Sequence, residues 1–202
     1  MTLEAIKQSL TSRFGGSVTK EEEFRGELSL SLAPNALHSV CEFCRDELAF
    51  DLLLDISGVD HFEAEPRYEV VYELYSLAHG RHLRLKTTTD EENPSVRTVC
   101  DLWPTANWHE REAWDMMGIR FEGHPDLRRI IMWEGYPYFP LRKDFPLEGK
   151  PSDAPDVAFS EAAPLAGGPF VTAPVEGTTQ VREPRARRPG DTLPETAFVA
   201  EP

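Results

Sequence analysis

The first 32 residues switch between two hydrophobic periods. Leu3, Ile6 and Leu10 recur at the spacing of an amphipathic helix, and Gly15-Gly16 follows at the point where that helix would end. Leucines at 28, 30 and 32 then alternate with polar residues, which is the period-2 pattern of a half-buried strand. Residues 16–33 therefore predict two short strands joined by a turn near Gly26.

A second helix and three further strands complete the predicted core. Pro34 suits the first turn of a helix, and apolar side chains then follow one stripe: Leu37, Val40, Cys41, Cys44 and Leu48. Strand-like runs cover residues 49–62, 67–77 and 81–90, with His79-Gly80 as the turn between the last two. The order α-β-β-α-β-β-β predicts an α+β fold, a mixed sheet with helices packed on one face.

Residues 105–118 predict a third, short helix that carries many charges. Asn107 is placed to cap it, and Glu110 lies three positions later, as a capping box requires. Arg111 and Asp115 have the spacing of an i,i+4 ion pair, and Gly118 is expected to end the helix.

The composition changes near residue 149. Residues 151–202 hold nine of the chain's 17 prolines and few large apolar side chains, so this part cannot build its own core. We therefore expect a folded domain over residues 1–149 and an extended or disordered Pro-rich tail over residues 150–202.

Charge and hydrophobicity exclude several classes of function. The formal net charge of −14 argues against a nucleic-acid partner, because phosphate binding needs clustered Lys and Arg. No apolar run approaches the roughly 20 residues that span a bilayer. The N-terminal residues do not have the pattern of a secretory signal, so we expect a cytoplasmic chain whose contact with membranes is indirect.

Cys41 and Cys44 form a CxxC, and His38 lies one helical turn before them. This spacing suits a redox dithiol or part of a zinc site. A single CxxC is a weak signal, however, and two small buried side chains on a helix stripe explain it as well. His109-Glu110 begins like HExxH, but position 113 is Ala. No nucleotide-binding loop or nucleophile elbow is present, so the sequence does not indicate a self-contained enzyme.

The stretch from His124 to Gly149 combines aromatic side chains with arginines and four prolines. Aromatic residues and Arg are enriched where protein surfaces bind each other. A proline-stiffened loop that covers the domain's own sheet would have the same composition. The residues alone leave these two interpretations equally open.

The stretch EREAWDMMGIRFEGHPDLRRII (110–131), followed by PLRKDFPLEG (140–149), resembles the 30 kDa subunit family of NADH-quinone oxidoreductase, respiratory complex I, whose bacterial members are its C-type subunits. The family pattern is met at the right spacing by these residues: Glu110, Arg111, Glu112, Asp115, Met116, Met117, His124, Arg128, Ile130 and Ile131. Two positions depart from the usual pattern. Trp114 replaces a smaller aromatic residue, and Phe139 replaces a His.

The resemblance implies a structural subunit of the peripheral arm, on the cytoplasmic side of the bacterial membrane. It implies no catalytic, cofactor-binding or metal-binding residue in this chain, with FMN and iron-sulfur clusters in neighbouring subunits. The implied partners are the large D-type subunit that holds the quinone site, called here the quinone-site subunit, and the neighbouring iron-sulfur subunits. The resemblance leaves open an equivalent subunit of a related membrane-bound hydrogenase-type complex, and a free-standing Cys/His metal or redox protein is the more distant alternative.

We therefore expect the motif to hold the fold together and to dock the neighbouring subunit. The residues expected to do this are Glu110, Arg111, Glu112, Asp115, His124, Arg128, Arg129, Arg142, Lys143 and Asp144. In this hypothesis the four basic residues after His124 pair with carboxylates of the partner. Replacement of Arg142 by Glu would then prevent assembly and leave the isolated domain folded.

Overall fold

A computed structural model of the chain describes residues 1–147 and 149. The predicted α-β-β-α-β-β-β order is confirmed, and the charged helix and two further strands follow it. In chain order the helices and strands are α1 Leu3–Phe14, β1 Val18–Phe24, β2 Glu27–Leu32, α2 Leu37–Asp46, β3 Leu52–Asp60, β4 Tyr68–Ser76, β5 Arg81–Thr89, β6 Ser95–Arg97, α3 Ala106–Met117 and β7 Arg120–Glu122. Short 3-10 turns at Gly15–Ser17 and Pro34–Ala36 follow α1 and precede α2.

The main sheet has five strands in the order β1-β2-β5-β4-β3. Strands β2 and β5 run parallel, while the other neighbours are antiparallel, so the sheet is mixed as expected. Leu28, Leu30 and Leu32 are buried, as their alternation predicts. Strand β1 forms one edge and is largely exposed, and β3 forms the other, with an irregularity in its pairing between Leu53 and Asp55.

The helices pack on the sheet face that carries the buried side chains. Helix α1 buries Ile6 and Leu10, and α2 buries Leu37, His38, Val40, Cys41 and Cys44. Helix α3 packs against β3, where Gly58 leaves it room. A Cβ atom on Gly58 would lie 2.5 Å from Met117 Sδ, so a side chain at this position would force the Met117 side chain to move.

A second, two-stranded sheet lies beside α3. Strands β6 and β7 are parallel, with Val96 opposite Phe121. Strand β6 leads into the turn that contains Thr98, which precedes α3, and β7 leads into the turn that contains His124. Thr98 N donates to Glu122 O at 2.9 Å. Its two strands are too short to give a clear period-2 pattern, and the sequence did not predict them.

The predicted start of α3 is wrong. The helix begins at Ala106, one residue before the proposed cap Asn107, and no side chain caps it. Glu110 does not complete a capping box, because its carboxylate is buried against the turn that contains Thr98. The predicted end is confirmed: Gly118 closes the helix with a φ of 78°.

Residues Met1–Pro146 group into one compact unit. The predicted tail, residues 150–202, lies outside the described residues. Within residues 1–147 and 149, no helix is long and apolar enough to cross a membrane.

Candidate functional site

Asp115 is the most heavily hydrogen-bonded carboxylate of the motif. It is fully buried, and its Oδ2 accepts from three successive backbone N–H groups, those of Ile130, Ile131 and Met132, at 2.7–3.0 Å. Its Oδ1 accepts from Arg129 Nη1 at 2.5 Å. Burial by itself would raise the pKa of Asp115, but these N–H donors and Arg129 favour the carboxylate strongly enough to lower it. Asp115 is therefore held as an anion that fixes the chain at residues 129–132.

Arg129 is the buried cation opposite Asp115, with a side chain only 9% exposed. It also donates to the carbonyl oxygens of Tyr136 and Tyr138. Its guanidinium lies 5.3–5.6 Å from the ring centres of Trp114, Tyr136 and Phe139. One arginine thus joins α3 to the irregular stretch that follows it.

The predicted ion pair between Arg111 and Asp115 does not form. Arg111 Nε and Nη2 donate to the carbonyl oxygens of Arg128 and Arg129 at 3.1 and 3.2 Å. Arg111 and Asp115 do lie one turn apart on α3, as predicted. Residues 128–132 cross the helix beside them, and each of the two side chains bonds to that segment. We call residues 128–132 the crossing segment.

Arg142 also bonds within the chain. Its Nε donates to Met117 O at 2.7 Å, at the C-terminus of α3, and its guanidinium lies over the rings of Phe139 and Tyr68. A Cβ atom on Gly118 would lie 2.5 Å from Arg142 Nη2 and 2.8 Å from the Phe139 ring. The Phe139 ring therefore packs on the C-terminal end of α3.

A second buried ion pair lies next to this stretch. Arg67 Nε and Nη2 donate to the two oxygens of Asp60 at 2.8 and 2.9 Å, a bidentate pair, and Nη2 also donates to Asp144 at 2.6 Å. Asp60 Oδ2 accepts from Lys143 N at 2.8 Å. The hydrogen bonds from Arg67 hold the pKa of Asp60 far below its usual range.

Sequence reasoning missed Asp60 and Arg67. A signal was available, because Asp60 occupies a core-facing position of β3, where it pairs with Tyr68 and is buried. A carboxylate on the buried period of a strand needs a cation.

Glu110 is the third buried carboxylate, and its environment differs. It is fully buried, and all three of its donors are neutral: Thr98 Oγ1, Val99 N at 2.8 Å and Cys100 Sγ at 3.3 Å. Burial raises the pKa of Glu110, and these hydrogen bonds offset only part of that rise. Burial also raises the pKa of the Cys100 thiol, to about 12.

The other predicted site residues lie nearer the surface. His124 Nε2 bonds to Asn107 O at 3.2 Å, and its Nδ1 accepts from Asp126 N at 3.0 Å. Arg128 is exposed and pairs with Asp126. Glu112, Lys143 and Asp144 are also exposed. Four basic residues were expected to pair with carboxylates of a partner. Two of them, Arg129 and Arg142, form hydrogen bonds to residues of this chain.

The CxxC cysteines lie in the core. Cys41 and Cys44 are fully buried, burial raises the pKa of both thiols, and His38 Nε2 instead bonds to Asp101 Oδ2 at 2.9 Å. Among the described residues, one group of three His, Cys, Asp or Glu side chains has its possible ligand atoms within 4.8 Å of one another. That group is Cys100, Glu110 and His124, and not the alternative cluster of His38, Cys41 and Cys44 that the CxxC spacing left open.

Large apolar side chains are exposed around the crossing segment. Trp108, on the same side of α3 as Arg111, is 60% exposed, and Ile131 and Ile130 are 59% and 37% exposed. The Arg111 guanidinium lies 5.1 Å from the centre of the Trp108 ring and donates to the carbonyl oxygens of Arg128 and Arg129, so Trp108 and the crossing segment both contact this arginine. We call Trp108, Arg128, Ile130 and Ile131 the apolar surface.

Residues 30–151 match the family model described as respiratory-chain NADH dehydrogenase, 30 Kd subunit. The match includes α3, the crossing segment and both Arg–Asp pairs. The chain belongs to this family. It is 47% identical over 167 residues to the second C-type subunit of the NADH-quinone oxidoreductase of Rhizobium meliloti, covering 76% of this chain and 91% of that one. Over 140 residues it is 44% identical to the C-type subunit of Geotalea uraniireducens, covering 69% and 85% of the two chains.

Solved structures agree with the family. The fold matches Nqo5, solved as a trypsin-resistant fragment (1-134), with a TM-score of 0.56 and 34% identity over 63% of this chain and 100% of that one. It also matches a chain of the membrane-bound sulfane sulfur reductase, an archaeal respiratory membrane complex, with a TM-score of 0.63 and 25% identity over 71% and 85% of the two chains.

Proposed function

We propose that this member of the 30 kDa family is a non-catalytic structural subunit of the peripheral arm of a proton-translocating NADH:quinone oxidoreductase. It docks the quinone-site subunit and the neighbouring iron-sulfur subunits on the cytoplasmic side of the bacterial membrane. The assembly transfers electrons from NADH through FMN and iron-sulfur clusters in other subunits to quinone.

One observation carries this proposal: the motif divides its residues between the interior and the surface. Asp115, Arg129 and Glu110 are buried and hydrogen-bonded within the chain, which suits residues that fix a backbone and not residues that turn over a substrate. The same stretch leaves Trp108 and Ile131 more than half exposed. The buried hydrogen bonds thus fix α3 and the crossing segment to each other, and both leave apolar side chains on the surface.

The chemistry of the apolar surface fits a protein partner. Trp is among the residues most enriched at interface hot spots, and a rim arginine such as Arg128 can pair with a carboxylate of the partner. We propose the quinone-site subunit as the partner that covers the apolar surface.

The likeness to the sulfane sulfur reductase complex supports a second candidate, an equivalent subunit of a related membrane-bound complex. The degree of identity favours the first proposal. It is 44–47% against the C-type subunits of NADH-quinone oxidoreductases and 25% against the archaeal chain.

The proposal is tested by Ile131→Asp in the host, with the complex purified through an N-terminal tag. Ile131 contributes its backbone N–H to Asp115, which the substitution keeps, while its exposed side chain gains a charge. We expect the isolated chain to melt within about 2 °C of the wild type, because substitutions of exposed side chains change stability little. Co-purification of the quinone-site subunit and NADH:quinone reductase activity in the eluate should fall at least tenfold.

Leu77→Asp is the matched control. Leu77 is 65% exposed in the turn after β4, at the opposite end of that strand from Tyr68 and Arg142. The control should assemble normally. Equal yields of complex from Ile131→Asp and Leu77→Asp would refute the docking surface. An eluate that contains a related complex without NADH-dependent activity would favour the second candidate.

A further inference from the structure

Cys100, Glu110 and His124 come from three separate parts of the chain and meet beside α3. Cys100 lies in the turn after β6, Glu110 on α3 itself, and His124 in the turn after β7. One possible ligand atom from each lies within 4.8 Å of the others. The two-stranded β6–β7 sheet brings both turns to the same side of the helix.

Glu110 differs from the other buried acids because it has no cation. Asp60 pairs with Arg67 and Asp115 pairs with Arg129, but within the described residues no basic side chain forms a salt bridge to Glu110. Its three hydrogen-bond donors are neutral. A fully buried carboxylate held in this way favours a positive charge at the same place.

A second buried group points to the same location. The hydroxyl of Tyr72 is buried and has no hydrogen-bond partner among the described residues. Tyr72 lies on β4 with its side chain fully buried in the core that α3 also covers. A buried hydroxyl is normally hydrogen-bonded to protein or to ordered water. A water molecule held by an ion would give it a partner.

The region is open to solvent from one side. A depression of about 380 Å³ is lined by Cys100, by Thr98, which donates to Glu110, and by Gly123 and Pro125, which flank His124. Cys100 is only half-buried, in contrast to Cys41 and Cys44. An ion can therefore reach the Cys100 thiol directly from solvent.

We propose that Cys100, Glu110 and His124 bind a zinc ion, with water as the fourth ligand. A thiolate, a carboxylate and an imidazole together suit zinc better than Mg²⁺ or Ca²⁺, which prefer oxygen ligands alone. On binding, the Cys100 thiol releases its proton to solvent, and its S–H···O bond to Glu110 is replaced by bonds from both groups to the ion. Because Zn–S and Zn–O distances are about 2.0–2.3 Å, the three side chains draw together.

The surrounding hydrogen bonds already orient two ligands. Thr98 Oγ1 and Val99 N hold the carboxylate of Glu110. The His124 ring is held by Asn107 O at Nε2 and by Asp126 N at Nδ1, and one of these two hydrogen bonds gives way to the ion on binding. Such backbone contacts to the second nitrogen are typical of metal-binding histidines. The ion would pin the turns after β6 and β7 to α3.

The test uses the full 202-residue chain, stripped with a chelator and then titrated with zinc chloride. We expect one zinc per chain by atomic emission, a rise in melting temperature, and a thiolate-to-metal charge-transfer band when Co²⁺ replaces zinc. Cys100→Ser and His124→Ala should each weaken binding at least tenfold and remove the rise in melting temperature. Cys100→Ser should also abolish the charge-transfer band.

Two variants outside the group serve as controls. Cys44→Ala removes a buried thiol that is not a predicted ligand, and His61→Ala removes an exposed imidazole. Both should keep wild-type zinc affinity. Substoichiometric zinc in the wild type, or the same affinity in Cys100→Ser and the wild type, would overturn the proposal and indicate adventitious binding. If Cys100→Ser does not fold, His124→Ala and the cobalt spectrum of the wild type decide the question.

Discussion

Glu110 and Asp115 lie five positions apart on α3 and are both fully buried, yet their pKa values are shifted in opposite directions. On the Asp115 side, the helix meets the crossing segment, which supplies one guanidinium and three backbone N–H groups. On the Glu110 side it meets the turn after β6, which supplies a hydroxyl, a thiol and one N–H. The difference shows that burial alone does not set the ionisation of a carboxylate. The charge and number of its donors decide it.

The largest expected effect is at Asp115. Asp115→Ala leaves Arg129 buried without a countercharge and removes the acceptor of three backbone N–H groups. Breaking a buried ion pair from one side costs about 3–5 kcal/mol. Urea unfolding of the isolated chain should show that loss in the free energy of unfolding. A loss below about 1 kcal/mol would mean that the crossing segment is held by other contacts.

The pH dependence of this effect has a definite sign. The pKa of Asp115 is lower in the folded chain than its ordinary value of 3.8. Its contribution to stability is therefore complete above that value and is lost as the pH falls through the folded pKa. The stability difference between the wild type and Asp115→Asn should be constant near neutral pH and should narrow below about pH 4.

Arg129→Met should have the next largest effect, about 2–3 kcal/mol. It leaves Asp115 without its cation, but the three N–H donors still hold the carboxylate. A double-mutant cycle with Asp115→Ala measures the pair directly, and we expect a coupling free energy of about 1–3 kcal/mol. Additive single effects would show that the guanidinium acts through its aromatic and carbonyl contacts alone.

Glu110→Gln should cost less, about 1 kcal/mol in unfolding experiments, because an amide keeps an acceptor for Val99 N and has the shape of a protonated carboxyl. The folded pKa of Glu110 is raised above its ordinary value of 4.5. The stability that Glu110 contributes is complete below that value and is lost as the pH rises through the folded pKa. The difference between wild type and Glu110→Gln should therefore shrink as the pH rises, opposite to the trend for Asp115.

The smallest effect is expected at Glu112, which belongs to the same motif but is exposed. Glu112→Ala should change the free energy of unfolding by less than about 0.5 kcal/mol. Glu110, Glu112 and Asp115 all lie within six residues of one helix. This variant therefore separates the effect of burial on stability from the effect of belonging to the motif. A loss of unfolding free energy as large as that of Asp115→Ala would show that burial does not account for the difference between these acids.

The sequence predicted the sheet because period-2 alternation is strong in β2, β4 and β5, where one face is buried and the other is not. It predicted the end of α3 because only a residue such as Gly118 accepts a positive φ easily. It placed Arg111, Asp115 and Glu110 on the right helix and gave all three the wrong partners. Their partners come from residues 98–100 and 128–132, which have no periodic pattern and are brought to the helix only by the tertiary fold.

The same limit applies to Asp60, Arg67 and the Cys100 group. Each depends on contacts outside its own helix or strand, such as Asp60 with Lys143 and Arg67 with Asp144, which lie far apart in the chain. The CxxC had the stronger local pattern and proved to be two core side chains. Local spacing therefore indicated which residues matter in α3 but did not indicate what they contact.

The two edges of the main sheet have a consequence for the chain before it joins its partners. An unpaired strand edge invites a second copy to add a strand and start aggregation. Strand β1 carries Glu21, Glu22 and Glu23 along its exposed length, so a second copy would meet like charge. At β3 the pairing irregularity after Leu53 interrupts the edge, and Thr105 Oγ1 donates to Leu53 O at 3.5 Å. Both edges of the sheet therefore oppose the addition of a strand from a second copy.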